Sequence, residues 1–230
     1  MSPSDASLSV IVPTLDAAAS LPATLAALAE ARPLLREVIV ADGGSRDRTV
    51  AIAEAAGARV VMAPRGRGAQ LAAGAAVAEG TWLCFLHADT RPEAGWAAVV
   101  ARFISDARNR ERAGYLAYRL DDASAPARRL ERIVAWRSRV LGLPYGDQGL
   151  ILARDLYRAL GGFPPLVVME DVAFVRRIGR RRLVALEAGA LTSAARYRRG
   201  GYLLRPLRNL CCLSLYLLGA PPRFIGWLYE

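Results

Sequence analysis

The chain has 230 residues, 53% of them hydrophobic, and a net charge of +10 supplied by arginine alone, with no lysine. That length buries a sizeable α/β core without covalent staples. Its three cysteines, Cys84, Cys211 and Cys212, form no Cys-x-x-Cys pair and no Cys/His cluster, which excludes a disulfide scaffold, argues against a zinc centre and fits a reducing compartment.

In chain order, "LSVIVP" (8–13) is a short β-branched run that reads as a buried parallel strand stopped by Pro13. Ser20 and Pro22 then open an alanine-leucine helix that ends before Pro33. "EVIVAD" (37–42) is a second buried strand, broken at Gly43-Gly44 and followed by a helix over "SRDRTVAIAEAAG", closed by Gly57. "ARVVMAP" (58–64) is a third strand, "GRGAQLAAGAAVAEG" a glycine-started helix, and "TWLCFLH" (81–87) a fourth strand. This alternation predicts a Rossmann-type α/β fold: a mostly parallel central sheet with helices on both faces.

Beyond residue 92 the pattern loosens. A helix is expected over 93–109, a half-exposed strand at "GYLAYRL" (114–120), and an arginine-rich amphipathic helix over 126–141. "YGDQGLILAR" follows, then a helix opened by Glu170 and Asp171, then one or two strands in "RRLVALEAGALTS". No linker or repeat divides the chain. It reads as one domain, with a nucleotide-binding half (1–92), an acceptor half (93–201) and an apolar helical tail (202–230). Residues 1–7 lack the basic start of a signal peptide, and the uncharged tract Asn209–Pro222 is too short for a bilayer core. A cytoplasmic protein is the expectation.

Ligands of such sheets bind beyond the carboxyl ends of the strands. Asp16 follows the first strand, Asp42 ends the second and Asp89 follows the fourth, so all three fall on one edge. At Arg65-Gly66-Arg67-Gly68, a helix start combines backbone N–H groups, the helix dipole and two guanidiniums, a pattern suited to an anion. The bland readings are an acid that caps the next helix (Asp42 with Ser45), a solvated helix start (Arg65, Arg67), and helix capping by Glu170 and Asp171.

Taken together, "SVIVPTLDAAASLPATL", "EVIVADGGSRDRTVAIA", "GTWLCFLHADT" and "MEDVAFVRRI" resemble the family 2 glycosyltransferases of GT-A fold. "YGDQGLIL", "GGFP" before "MED", and "TSAARY" look like a bacterial subgroup found beside radical-SAM or selenium-domain genes. The resemblance implies inverting transfer of a sugar from a nucleotide-sugar donor, typically a UDP-sugar, to an acceptor hydroxyl. It places Pro13, Asp16, Asp42, Arg65, Arg67, His87 and Ala88 on the donor side, with Asp42 at the base. Asp89 corresponds to the acid that meets a divalent cation (Mn2+ or Mg2+). His87-Ala88-Asp89 replaces the family's usual Asp-x-Asp, so His87 would bond ribose, add a nitrogen ligand, or serve as a structural hydrogen-bonder.

Within the same resemblance Asp171, beside Glu170, corresponds to the base that deprotonates the acceptor. Asp147 and Gln148, in a glycine-flanked turn, fall on the acceptor rim. Arg196 and Tyr197 match a later Arg-aromatic pair on the diphosphate or acceptor side, although Ala195 stands where a second arginine is expected. The tail, with Arg205, Arg208 and Arg223 among leucines and aromatics, suits either peripheral contact with a membrane holding a lipid-linked acceptor or a packed helical core. Two alternatives stay open: a catalytically altered relative that only binds nucleotide sugar, and an arginine-rich binder of nucleic acid or anionic membrane. The latter is disfavoured for nucleic acid because no aromatic stacking platform accompanies the arginines. A glycine-poor first loop disfavours nucleotidyltransfer and dinucleotide-dependent redox chemistry.

Overall fold

The structure, a computed structural model, describes residues 6–229, the side chains of residues 196, 222, 223, 227 and 229 aside. Strand β1 (Leu8–Thr14) is buried at every position and lies between β2 (Leu35–Asp42) and β4 (Trp82–Phe85), parallel to both. Burial on both faces is why Val10–Val12 of β1, Ile39–Ala41 of β2 and all of β4 are apolar runs rather than alternating ones. β3 (Arg59–Met62) extends the parallel half outward from β2. On the other side β7 (Leu150–Ala153) runs antiparallel to β4, and β6 (Ala113–Leu120) antiparallel to β7. β8 (Leu183–Thr192) is parallel to β6 and carries the three-residue edge strand β5 (Thr90–Pro92). The order is β3-β2-β1-β4-β7-β6-β8-β5, so the chain winds outward in both directions from β1 and β4. A crevice opens beyond the carboxyl ends at that switch.

Helices α1 (Leu21–Leu28), α2 (Thr49–Ala55), α3 (Arg67–Val77) and α4 (Trp96–Ser105) connect the first strands. α5 (Ala125–Trp136), continued by a π turn over Arg137–Leu141, covers β6. α6 (Arg154–Ala159) and α7 (Glu170–Ile178) follow β7, and α8 (Ala195–Gly200), α9 (Leu204–Leu217) and α10 (Pro222–Tyr229) close the chain. The main core packs Ile11, Trp82, Phe85 and Trp96 with Phe174 of α7. A second cluster joins Cys212, Leu213 and Ile225 of the tail to Val168, Met169 and Val172, so the tail seats one face against the start of α7.

Three local expectations are corrected and one strand is added. β1 runs through Pro13, paired with Ala41, to Thr14, because an extended backbone near a strand end accommodates proline's fixed φ. α2 starts at Thr49 rather than Ser45, since the side chains of Ser45 and Asp47 are bonded into the preceding loop. β6 is buried apart from Arg119 and the partly covered Ala117, because strands flank it on both sides and α5 lies across it. β5 has no periodic signature in three residues. It exists through its partner, with the buried Thr90 and Thr192 hydroxyls 3.1 Å apart.

Candidate functional site

At the carboxyl ends of β1 and β2 the side chain of Asp42 is buried, and the residue is 0% exposed. Its Oδ1 accepts the N–H groups of Gly44 (2.9 Å) and Ser45 (2.7 Å), and its Oδ2 accepts the hydroxyls of Thr14 (2.8 Å) and Ser45 (2.5 Å). Burial works against its charge, yet these donors hold the carboxyl below the usual carboxylate range. A carboxylate has about four acceptor positions, and all are spent within the chain. Asp42 thus shapes the loop, and no oxygen of it faces open space for a base.

Asp16, with φ 49°, accepts the Arg46 N–H at 2.7 Å while its own N–H donates to Ser45 Oγ at 2.8 Å, zipping the loops after β1 and β2 together. Gln70 of α3 donates to the carbonyls of Thr14 (2.6 Å) and Ala41 (3.0 Å). This tie was not read from the sequence, where Gln70 is one polar residue on an alanine-rich helix.

The start of α3 is not an open anion site. The Gly68 N–H donates to Leu166 O at 3.3 Å. Arg67 forms an ion pair with Glu170, whose side chain is 0% exposed, at the start of α7. Arg65 is the exposed guanidinium of this turn, while Arg67 is engaged across it. Glycine at 68 permits the approach, since a Cβ there would lie 2.2 Å from Pro164 O and 2.8 Å from Leu166 O.

A cavity of about 480 Å³ opens beyond β4, with His87, Asp89, Asp147, Asp171 and Arg67 among its lining residues. Helix α7 begins directly after Met169, a non-glycine residue with φ 64°. Such a left-handed residue costs about 1 kcal/mol, and here it sets the first turn of the helix. Asp171 Oδ2 accepts the Gly146 N–H at 3.0 Å, and Oδ1 accepts the Val172 N–H at 2.7 Å. His87 packs its ring against Gly146, where an added Cβ would meet Nε2 at 2.6 Å. One backbone position therefore holds both side chains to the same turn. Ala88 anchors the loop through its carbonyl, which accepts Thr24 Oγ1 at 2.9 Å. In Asp147, whose Oδ1 is buried without a hydrogen-bond partner, burial pushes the carboxyl up to about 6, reinforced by Asp171 and Asp89 and opposed by Arg137 and Arg67.

The other acceptor-side residues differ in their surroundings. Gln148 is 1% exposed and wholly structural: its Oε1 accepts Ser138 Oγ (2.9 Å), Tyr145 N (3.2 Å) and Arg137 Nη2 (3.3 Å), and its Nε2 donates to Leu116 O at 3.2 Å. Arg196 sits in α8, and its side chain lies outside the described residues. Tyr197 does line the cavity, stacked on Tyr202 with centroids 5.6 Å apart. Arg137, unassigned from the sequence, also lines it, with its guanidinium carbon 3.4 Å from the Tyr145 ring centroid.

Among the described residues no group of three or more His, Cys, Asp or Glu is placed to hold a metal ion. Asp89 and His87 line the cavity as an oxygen and a nitrogen donor. That donor set fits a hard divalent cation that takes its remaining ligands from substrate phosphates and water, not one caged by protein.

Burial pushes the Glu170 carboxyl up to about 7 from an ordinary 4.5, with Arg67 opposing and Asp171 reinforcing the rise. The folded state therefore binds more protons than the unfolded chain between about pH 4.5 and 7. This contribution to stability is full below that window and lost as pH rises through it. Urea midpoints should fall across the window, and Glu170→Gln should flatten the slope by an amount on the order of 2 kcal/mol. An unchanged slope in the variant would exclude Glu170 as the titrating group.

A model of glycosyl transferase family 2 matches residues 9–139. The PGL/p-HBAD biosynthesis glycosyltransferase of Mycobacterium bovis (strain BCG / Pasteur 1173P2) is 39% identical over 106 residues, 43% of this chain and 41% of its own length. The chain thus matches about two-fifths of the length of such curated relatives. Glucosyl-3-phosphoglycerate synthase of M. tuberculosis superposes with a TM-score of 0.66 at 22% identity, over 94% of this chain and 82% of that one. The same enzyme in complex with Mn2+, UDP and glucosyl-3-phosphoglycerate gives a TM-score of 0.61 at 20% identity, over 94% and 81%. These likenesses establish a shared GT-A fold.

Proposed function

The chain belongs to glycosyl transferase family 2, and from that premise we propose that it transfers a sugar from a nucleotide sugar, a UDP-sugar first, to an acceptor hydroxyl with inversion. The observation that carries this reading is the convergence of Asp171, Asp89, Asp147 and His87 on one cavity beyond the switch between β1 and β4. The UDP complex of the structural neighbour supports the choice of base.

In the proposed reaction the acceptor oxygen attacks the anomeric carbon. The bond from that carbon to the diphosphate breaks, its electron pair leaves on UDP, and the acceptor proton passes to Asp171. The Gly146 and Val172 N–H groups point the Asp171 carboxylate, so that it need not reorganise during the step. A divalent cation, held by Asp89, would neutralise charge on the departing diphosphate. Asp147, buried beside Asp171 and Asp89 and pushed up to about 6, takes up a proton sooner than an ordinary carboxyl as pH falls.

Calorimetric titration with UDP tests the donor side. Saturable binding should strengthen with Mn2+, and Asp89→Ala should abolish the metal-dependent increment. Absence of binding to UDP, GDP and dTDP, with or without metal, would overturn the proposal.

A further inference from the structure

Among the described residues fourteen large hydrophobic side chains are exposed, and twelve of them lie beyond residue 132. Scattered exposed apolar residues need no explanation, but a cluster does. Ile133, Trp136 and Leu141 on α5 and its π turn, and Leu203, Leu207 and Leu210 on α9 and the residue before it, all line the same cavity as Asp171 and Asp89. Their spacing puts each set on one helix face. The cavity is therefore a groove with a hydrocarbon mouth and an acid-lined end. α9 is also committed to the fold, through Cys212 on the face turned away from Leu207 and Leu210 and through Leu213 at the border of the groove.

Charge around this mouth has one sign. α8, α9 and the π turn contain no acidic residue, and the only one in α5, Glu131, is 4% exposed and bonded to the Leu120 N–H and Arg128. Arg129, Arg132 and Arg139 are exposed on α5 and its π turn, beside Ile133 and Trp136. An apolar face ringed by guanidiniums matches an anionic bilayer: hydrocarbon takes the leucines and headgroups take the arginines. Against a second copy of the chain the same arginines would face each other. No described helix is long and apolar enough to cross a membrane, so the surface would lie on the bilayer.

Resting on the glycosyltransferase reading above, we infer that the acceptor is a membrane-held amphiphile. Its apolar body lies between α5 and α9 and its hydroxyl reaches Asp171, with the chain seated on an anionic bilayer. A small polar acceptor would use the polar end of the cavity alone and would leave the apolar mouth without an occupant.

The test is co-sedimentation of the full chain with phosphatidylcholine vesicles, with and without phosphatidylglycerol, alongside the Leu207→Glu/Leu210→Glu double variant. Both positions are exposed, and circular dichroism checks that the variant folds. Partitioning onto anionic vesicles, reduced about tenfold or more in the variant, supports the inference. So does quenching of fluorescence by bromine-labelled acyl chains in a Trp227→Phe background that is lost on adding Trp136→Phe, since Trp82 and Trp96 are buried. No partitioning overturns it, as does partitioning equal in both proteins, which would reduce the contact to arginine charge alone. Concentration-dependent dimerisation lost in the variant, without partitioning, would assign the face to a second copy. UDP titration of the same preparation separates the readings: UDP binding without vesicle binding sinks this inference and spares the donor site.

Discussion

Asp171→Asn should lower the rate of UDP release from a UDP-sugar, with water or an added hydroxyl as acceptor, by about 10²- to 10⁴-fold. UDP affinity should stay within about twofold, because the amide removes a base and not a phosphate contact. The size of the effect follows from position. Asp171 is a cavity-lining carboxylate aimed by two backbone N–H groups at the first turn of α7. Asparagine keeps one acceptor oxygen for the Val172 N–H but turns an NH2 toward the Gly146 N–H, so part of the 145–148 turn loosens as well. Measuring UDP affinity with the rate separates these consequences. A variant within about tenfold of the wild-type rate would move the general base elsewhere, with Asp147 next in line.

Gly68→Ala should be the most damaging single methyl in the chain. The new Cβ would meet two backbone carbonyl oxygens, those of Pro164 and Leu166, at 2.2 and 2.8 Å. Backbone atoms cannot rotate away as a side chain would, so α3 must separate from the 164–166 loop. Overpacking of this kind costs about 1–3 kcal/mol, and separation would also pull Arg67 from the buried Glu170 carboxylate, leaving a charge without its partner. We expect Tm to fall by roughly 6–12 °C for a chain of this size, together with weaker UDP binding. Gly200→Ala is the control, because a Cβ there meets nothing within 4 Å, and its effect should stay within about 0.5 kcal/mol. Equal melting temperatures for the two variants would show that α3 and the loop do not pack as described.

The two effects share one construction. The Arg67–Glu170 pair joins the helix that follows β3 to the helix that presents Asp171. The start of α3 thus meets the start of α7 through a buried carboxylate adjacent to the proposed base.

Much of this was legible in the order of residues. The buried apolar runs Val10–Val12, Ile39–Ala41 and Trp82–Phe85 are a signal carried by neighbouring residues, and the alternation of their strands with helices specifies a doubly covered sheet. Once that is known, chain direction alone carries Asp16, Asp42 and Asp89 to one edge. The start of α7 at Glu170 was readable for the same local reason. Residue type alone did not disclose intrachain partners in two places. Asp42 has the chemistry of a ligand contact, but four donors of its own chain claim it. Gln148 sits in a glycine-flanked turn that suits a pocket rim, yet Arg137, Ser138 and Tyr145 draw it inward.

The sequence by itself determined the strand-helix alternation, the acid-bearing edge and the family, because these depend on local periodicity and short motifs. Only the tertiary structure decided that Arg67 pairs with Glu170, that Gly146 seats both His87 and Asp171, and that one face of α9 is spent on the core while its leucines at 207 and 210 line the groove. Each of these joins segments remote in the chain. Which hydrogen bond or apolar face is taken there depends on the packing of the whole sheet and its helices, and no window of neighbouring residues encodes it.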